Sequence, residues 1–421
     1  MIHRGGIRCF DGDSPVLRWS RMSRPYPSPS PGKPRDAGVG RVLHVVPYFS
    51  PSEAGGGIRE AVATLARAQV RAGWHVTICT TDVGTPRSRR APVEIPGLEI
   101  CVFRNLFNKL AWDDITIPLG LASWARHHAH AFDAVHLHGH RHLGAWWVAR
   151  ARRPSPYVLS PHGTATRIER RIGLKRIFDR AAGDGILQGA ARVLAVSDVE
   201  ASQLLSLGIL EEHIARVPNA VDPESILPLP GRGAFRKRHG IPADAPVVLF
   251  LGRVTRNKRV DVLLRAVASI PKVVLVVAGP DGGEICNVRG EAALFKVSSR
   301  IRITGALDTE RRREALADAD VLALPSEQEI FGLASMEGLL AGVAPVVSEG
   351  TGCAERIRAW DSGWVIDAGS VDALRNAIEE ALHDPEERRR RAALGAEAVR
   401  AELAPASVAA RILDIYREVA R

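Results

Sequence analysis

The stretch Ala319-Asp320-Val321-Leu322-Ala323-Leu324-Pro325-Ser326-Glu327-Gln328-Glu329-Ile330-Phe331-Gly332-Leu333-Ala334-Ser335-Met336-Glu337 decides how this chain is read. Residues 319–324 suit a buried strand, and they give way to a polar loop that ends at Phe331-Gly332. Small residues then open a helix near Gly332 that carries Glu337 inside its second turn. The first N–H groups of a helix lack an intrahelical acceptor, so Phe331, Gly332 and Leu333 are placed to attract a phosphate. Glu329 and Glu337, once ionised, only accept hydrogen bonds and so suit hydroxyls. Phosphate flanked by hydroxyls describes a sugar nucleotide. A pair of solvated helix-end glutamates is the plain alternative.

Upstream the chain repeats a strand, loop and helix plan. Residues 247–252 read as a strand, 253–258 as a basic loop, 260–270 as an amphipathic helix and 273–279 as the next strand. The first half begins in the same way. A strand over 41–48 leads to a loop with Gly55-Gly56-Gly57, a helix with Ile58, Val62, Leu65, Ala66 and Val70, and a strand over 75–80. That is a βαβ unit with its loop at a strand carboxyl end, where doubly wound sheets bind ligands. Further strands are predicted over 99–103, 134–138, 157–160 and 193–197. Pro218, Pro223, Pro228, Pro230, Pro242 and Pro246 break regular structure between the halves. The expected fold is therefore α/β, with two Rossmann-like doubly wound domains facing across a cleft. The boundaries read as a disordered tail over 1–39, a first domain over 40–222, a linker over 223–246, a second domain over 247–403 and a terminal helix over 404–421.

At 421 residues the chain exceeds what one core usually supports. Its 46% hydrophobic and 25% charged content is that of a soluble globular protein, and no apolar run is long enough to span a bilayer. The first forty residues hold Pro25, Pro27, Pro29, Pro31 and Pro34 and lack the apolar centre of a signal peptide, so Met22 stands as an alternative start. The 5 cysteines are odd in number and form no Cys-x-x-Cys pair, which points to a reducing cytoplasm. The formal charge of +10 comes almost entirely from Arg spread along the whole chain without aromatic interleaving, which argues against a nucleic-acid partner. A general Arg bias accounts for most of it, and the remainder suits anionic ligands or an anionic membrane surface.

With Ala341-Gly342-Val343-Ala344-Pro345-Val346-Val347 downstream, the Glu329 to Glu337 segment resembles the retaining GT-B-fold glycosyltransferases of family 4. The matches run from about residue 42 to 367, in both halves and in the family's order. The resemblance implies transfer of a sugar from a UDP-, GDP- or ADP-sugar to a glycan, lipid-linked or other glycoconjugate acceptor, in cell-surface polysaccharide synthesis. It implies retention at the anomeric carbon, no metal and no cofactor beyond the donor, an acceptor site on the first domain and a donor site on the second, and a last helix over 404–421 that crosses back to the first domain. By position, Glu329 contacts donor-sugar hydroxyls, Glu337 holds the ribose, and Ile330, Phe331, Gly332 and Leu333 lie along the donor.

The same resemblance selects Arg253 and Lys258 in Gly252-Arg253-Val254-Thr255-Arg256-Asn257-Lys258 as the diphosphate cations and leaves Arg256 and Arg259 solvated. Fixed cations in a low-dielectric cleft stabilise charge on a departing nucleoside diphosphate without a metal. It brings Gly56 and Gly57 of the acceptor domain to the donor phosphate when the cleft closes, with a plain tight turn as the alternative. His162, in Ser160-Pro161-His162-Gly163-Thr164, matches a histidine beside the donor sugar, and a satisfied structural histidine is its rival. His162, Arg253, Lys258 and Glu329 form the expected catalytic set. Two departures stand out: Ile330, where the family often has a small residue, and Ala220, where Gly is usual.

The run Val135-His136-Leu137-His138-Gly139-His140-Arg141-His142 places imidazoles on one strand face. No carboxylate or cysteine set stands at ligand spacing, so no metal is assigned and His138 is placed on the acceptor side of the cleft. Residues 167–180 mix Arg167, Arg170, Arg171, Lys175 and Arg176 with Ile168, Ile172, Ile177 and Phe178, a pattern suited to docking on the inner face of the cell membrane. A surface helix packed on the core is equally compatible. The rival functions are a sugar-nucleotide epimerase of the same fold and a noncatalytic sugar-nucleotide-binding subunit.

Overall fold

Two buried apolar runs per domain set the centre of each sheet, and among the described residues the strands of both sheets pair in parallel. The computed structural model describes residues 39–49, 56–83, 96–107, 116–153, 155–166 and 172–420. The predicted tail up to residue 38, Gly55, and Arg167, Ile168, Arg170 and Arg171 of the basic segment lie outside the described residues.

The first domain holds β1 (Arg41–Tyr48), β2 (His75–Thr81), β3 (Leu98–Phe103), β4 (Ala134–His138), β5 (Val158–Ser160), β6 (Arg192–Ala195) and β7 (Ile214–Arg216). They form a 7-stranded sheet in the order β3-β2-β1-β4-β5-β6-β7. The second holds β8 (Val247–Leu251), β9 (Val274–Ala278), β10 (Ile301–Gly305), β11 (Val321–Leu324), β12 (Pro345–Ser348) and β13 (Trp364–Ile366), in the 6-stranded order β10-β9-β8-β11-β12-β13. Strand order therefore reverses between β1 and β4 and again between β8 and β11, the places where open parallel sheets leave a crevice.

Alternation along β1 and β4 assigns each residue to a face. Leu43, Val45, Val135 and Leu137 pack with the helices Leu121–His128 and Leu143–Arg152. Val42, Val46 and Ala134 pack on the other face with Val62, Leu65 and Ala66 of the helix Gly56–Arg71. The terminal helix Pro405–Val419 returns to this face, where Val408, Ile412, Leu413 and Tyr416 are buried in the same core.

Three local readings are corrected. β6 ends at Ala195 because Ser197 turns the chain into the helix Asp198–Ser206, its hydroxyl accepting from the Glu200 N–H at 3.2 Å. β7 was not predicted, since three residues are too few to show a period. Residues 223–246, expected as a linker, contain the helix Ala234–His239, and Ile226, Phe235, Ile241 and Ala245 are buried in the core of the second domain. Arg236 fixes this segment: its guanidinium donates to the Pro242 and Ala245 carbonyls at 2.9 and 2.7 Å, and its backbone N–H donates to Asp318 Oδ2 at 2.9 Å. Proline density marks loss of regular structure, which is compatible with tight packing.

Candidate active site

The loops after β1 and β5 meet the loop after β11, which the loop after β8 adjoins, and the predicted residues fall on these loops and on the helix that follows β11. On the second domain, Gly252 leads from β8 into Arg253, which is exposed, and the short 3-10 turn Arg256–Lys258. Lys258 Nζ forms an ion pair with Glu329 Oε2, both side chains being only about one-fifth exposed. Arg259, expected to be solvated, instead pairs with Asp261 at 3.1 Å and with Glu327, which ties the basic loop to the loop after β11. A backbone bond from the Glu327 N–H to the Asn257 carbonyl at 2.9 Å adds to that link.

Gly332 caps the helix Leu333–Leu340 at φ 75, in the left-handed region. Its missing side chain has a second reason, because a Cβ there would stand 2.7 Å from Cys353 Sγ. Phe331 is buried, with the Arg356 guanidinium 5.4 Å from its ring centroid. Gly352 is pressed against the same loop: its N–H donates to the Glu329 carbonyl at 2.6 Å, and a Cβ would meet the Ile330 carbonyl oxygen at 1.7 Å. Glu337 is buried and accepts from Arg312 Nη1 at 2.9 Å. Burial raises the Glu337 carboxyl above its usual range and the neighbouring Glu60 adds to this, while Arg312 opposes it. Arg312, on the helix Thr309–Asp318, was missed by sequence reasoning, because nothing in Arg311-Arg312-Arg313 separates one arginine from the next.

The first domain meets this loop at two glycines. A Cβ on Gly163 would stand 2.5 Å from Ile330 Cγ1, and one on Gly57 would stand 3.4 Å from Leu333 Cδ1. Ile330, flagged for its branched side chain, thus packs across the cleft against the residue after His162. Gly56, with φ 45, has open space around it. His162 is half-buried at φ 51, and its Nε2 lies 3.0 Å from His138 Nδ1. Glu200 holds the loop from behind by accepting from the Gly163 and Val196 N–H groups at 2.6 and 2.9 Å, and burial pushes its carboxyl up to about 7. Arg141 clamps the same loop, pairing with Asp179 at 2.7 Å and donating to the Ala165 and Thr166 carbonyls. Neither Glu200 nor Arg141 carries a sequence signal.

Burial lowers the histidines on this side. His44, His142 and His162 fall to about 4, and His136 and His138 lie well below the usual value. All are neutral near pH 7. His44, His136 and His138 bring ring nitrogens within 4.8 Å of one another. Every ring nitrogen of these three nonetheless has a protein hydrogen-bond partner.

A cleft between two parallel α/β domains, with paired carboxylates around a left-handed glycine on one wall and a histidine loop on the other, is that of a GT-B glycosyltransferase. Residues 55–225 match the family described as Glycosyltransferase Family 4, and residues 231–397 match Glycosyl transferases group 1. A D-inositol 3-phosphate glycosyltransferase of Xylanimonas cellulosilytica is 32% identical over 412 residues, covering 90% of this chain and 96% of the relative. One of the same description from Mycolicibacterium smegmatis is 28% identical, covering 81% and 82%. Among solved structures, sucrose-phosphate synthase from Thermosynechococcus elongatus superposes with a TM-score of 0.76 at 22% identity, covering 90% of this chain and 99% of the other. Anabaena HepE in complex with UDP-glucose superposes with a TM-score of 0.73 at 17% identity, covering 90% and 99%. The chain belongs to the family 4 glycosyltransferases.

Proposed function

We propose that this enzyme transfers a hexose from a UDP-sugar to an acceptor hydroxyl, with retention at the anomeric carbon and without a metal ion. The reading is carried by one observation: Lys258–Glu329 and Arg312–Glu337 flank the left-handed turn at Gly332, so each donor-facing carboxylate is paired with a cation. In this reading Glu329 receives donor-sugar hydroxyls and Glu337 the ribose, while Arg253, Lys258 and the N–H groups opening the helix at Leu333 receive the diphosphate. Gly56 and Gly57 approach that diphosphate from the first domain, and His162 orients the sugar. The acceptor oxygen attacks the anomeric carbon on the face from which the phosphate leaves. As the bond to the phosphate oxygen breaks, that oxygen takes the acceptor proton, so no protein nucleophile is needed. Preorganised Arg253 and Lys258 stabilise the charge on the leaving group.

The activity for which the relatives are named makes a phosphorylated cyclitol the first acceptor to test. A glycan or lipid-linked acceptor is the second reading, favoured by Ile177, which is 66% exposed beside Arg176 and near Arg180. No helix among the described residues is long and apolar enough to cross a membrane, so such an acceptor would be met by docking at the surface. A cytoplasmic location belongs to the same proposal.

The test is thermal stabilisation by UDP-, GDP- and ADP-sugars, since a ligand that binds only the folded state raises its stability. Selective stabilisation by UDP-sugars, followed by turnover in chelator with D-inositol 3-phosphate and retained anomeric configuration in the product, is expected. Stabilisation by a different base would move the donor assignment, and turnover that stops in chelator would remove the metal-free mechanism.

A further inference from the structure

Beneath His162, the inner face of the first sheet carries a continuous hydrogen-bonded path that the transfer chemistry above does not use. His162 Nε2 lies 3.0 Å from His138 Nδ1, His138 Nε2 lies 2.8 Å from His44 Nδ1, and His44 Nε2 lies 2.8 Å from Gln69 Oε1. The Gln69 Nε2 group donates to the Tyr416 hydroxyl at 3.3 Å. Tyr416 lies 2.6 Å from His136 Nδ1, and His136 Nε2 lies 2.8 Å from Ser160 Oγ. His44, Gln69, His136 and His138 are at most 1% exposed and Tyr416 is 2% exposed, so water does not complete these bonds. The register explains the assembly: His44 sits opposite His136 on the adjacent strand, and His138 opposite Ser160.

Donors and acceptors along this path have one direction. Because the Gln69 amide nitrogen is spent on Tyr416, its oxygen faces His44 and requires a proton on His44 Nε2. A neutral imidazole carries one ring proton, so His44 Nδ1 is bare and accepts from His138 Nε2–H. His138 Nδ1 is then bare and accepts from His162 Nε2–H, which leaves His162 Nδ1 without a proton. The other branch agrees: the Tyr416 hydroxyl donates to His136 Nδ1, and His136 Nε2–H donates to Ser160.

We propose that Gln69, His44 and His138 are positioning residues that hold His162 as its Nε2–H tautomer, so that His162 meets a substrate hydroxyl as an acceptor through Nδ1. The polarity originates at Gln69, on the helix Gly56–Arg71, and reaches the cleft through two intervening rings. The role of the substrate rests on the transferase reading, whereas the tautomer does not.

The test is long-range 1H–15N correlation of 15N-histidine-labelled protein at pH 7.5, with the His162 signals assigned by their loss in His162→Asn. An Nε2–H pattern at His162 is expected, and an Nδ1–H pattern overturns the proposal whether or not any donor is turned over. Gln69→Leu removes both ends of the amide and is expected to give mixed His162 tautomers and a kcat lower by about tenfold, with the donor KM little changed. Gln69→Glu restores an acceptor toward His44 and is expected to recover the single tautomer and most of kcat. Unchanged His162 signals in folded Gln69→Leu would overturn the proposal, as would one equivalent of zinc in the purified protein held by His44, His136 and His138. The wild-type spectrum decides the matter alone if Gln69→Leu does not fold. Absence of turnover with every donor would fail the transferase reading and leave the tautomer measured.

Discussion

At the carboxyl end of the first sheet, polar groups are buried as neutral imidazoles: His44, His136, His138 and His162 pass hydrogen bonds to one another and to Gln69 and Tyr416. At the carboxyl end of the second, they are held as ion pairs, Lys258 with Glu329 and Arg312 with Glu337. The strand order on both sides is that of a doubly wound sheet, so topology does not account for the difference. Burial and expected ligand do. A neutral network can be fully desolvated at little cost if every group is paired, whereas a charge cannot. The ion pairs sit nearer solvent, where the diphosphate of the proposed reaction would share their cations. The histidine side should therefore yield to protons, and the carboxylate side to loss of single charges.

The largest expected effect breaks the first side by acid. His44, His142 and His162 have folded-state values of about 4 against an ordinary 6.5, so the unfolded chain binds more protons between those values. Their contribution to stability is present above pH 6.5 and is lost as pH falls toward 4. Glu200 works the other way: its value of about 7 lies above the ordinary 4.5, so its contribution is present below 4.5 and lost as pH rises through 7. The histidines outnumber it, and the denaturant midpoint should drop steeply from pH 6.5 to 4.5. A flat midpoint over that range would show that the imidazoles are not neutral and buried.

Next in size, Lys258→Ala on the opposite side should lower kcat by about 10²–10³-fold, the cost of losing one preorganised charge-stabilising group. Its affinity for a nucleoside without phosphates should be unchanged, and normal turnover would remove Lys258 from the site. Glu337→Ala should weaken binding of the free nucleotide by about tenfold to a hundredfold, as for a lost hydrogen bond to a charged group. Calorimetry with UDP measures this, and unchanged affinity would detach Glu337 from the ribose. Smallest, Gly163→Ala tests the seam between the two sides. Its φ of 78 and the Ile330 contact should cost about 1–3 kcal/mol of stability, and Ile330→Ala should recover part of it in a double-mutant cycle. Strict additivity would mean that the loops do not press on each other.

Much of the fold was legible because buried parallel strands are long apolar runs, as in residues 41–48, 247–251 and 273–278. Where the signal was short or composite it failed. β7 has three residues, and Phe235 lies in a proline-rich stretch whose packing depends on distant Asp318. At the site, Glu329, Glu337, Lys258 and Gly332 were visible because they stand together in two short segments. Their partner Arg312 was not, because helix position alone does not say which of three arginines faces a carboxylate 25 residues away.

The sequence alone determined the two-domain α/β plan and singled out the loops and most of the residues that form the candidate carboxylate wall, since each is encoded by local period, charge and turn chemistry. Tertiary structure decided what those residues touch. It set Ile330 against Gly163, gave Glu337 its cation, and joined His162 through His138 and His44 to Gln69 and to Tyr416, which lies 347 residues further along the chain from Gln69. Such contacts depend on register between strands and on the return of the terminal helix, and no local pattern carries that information.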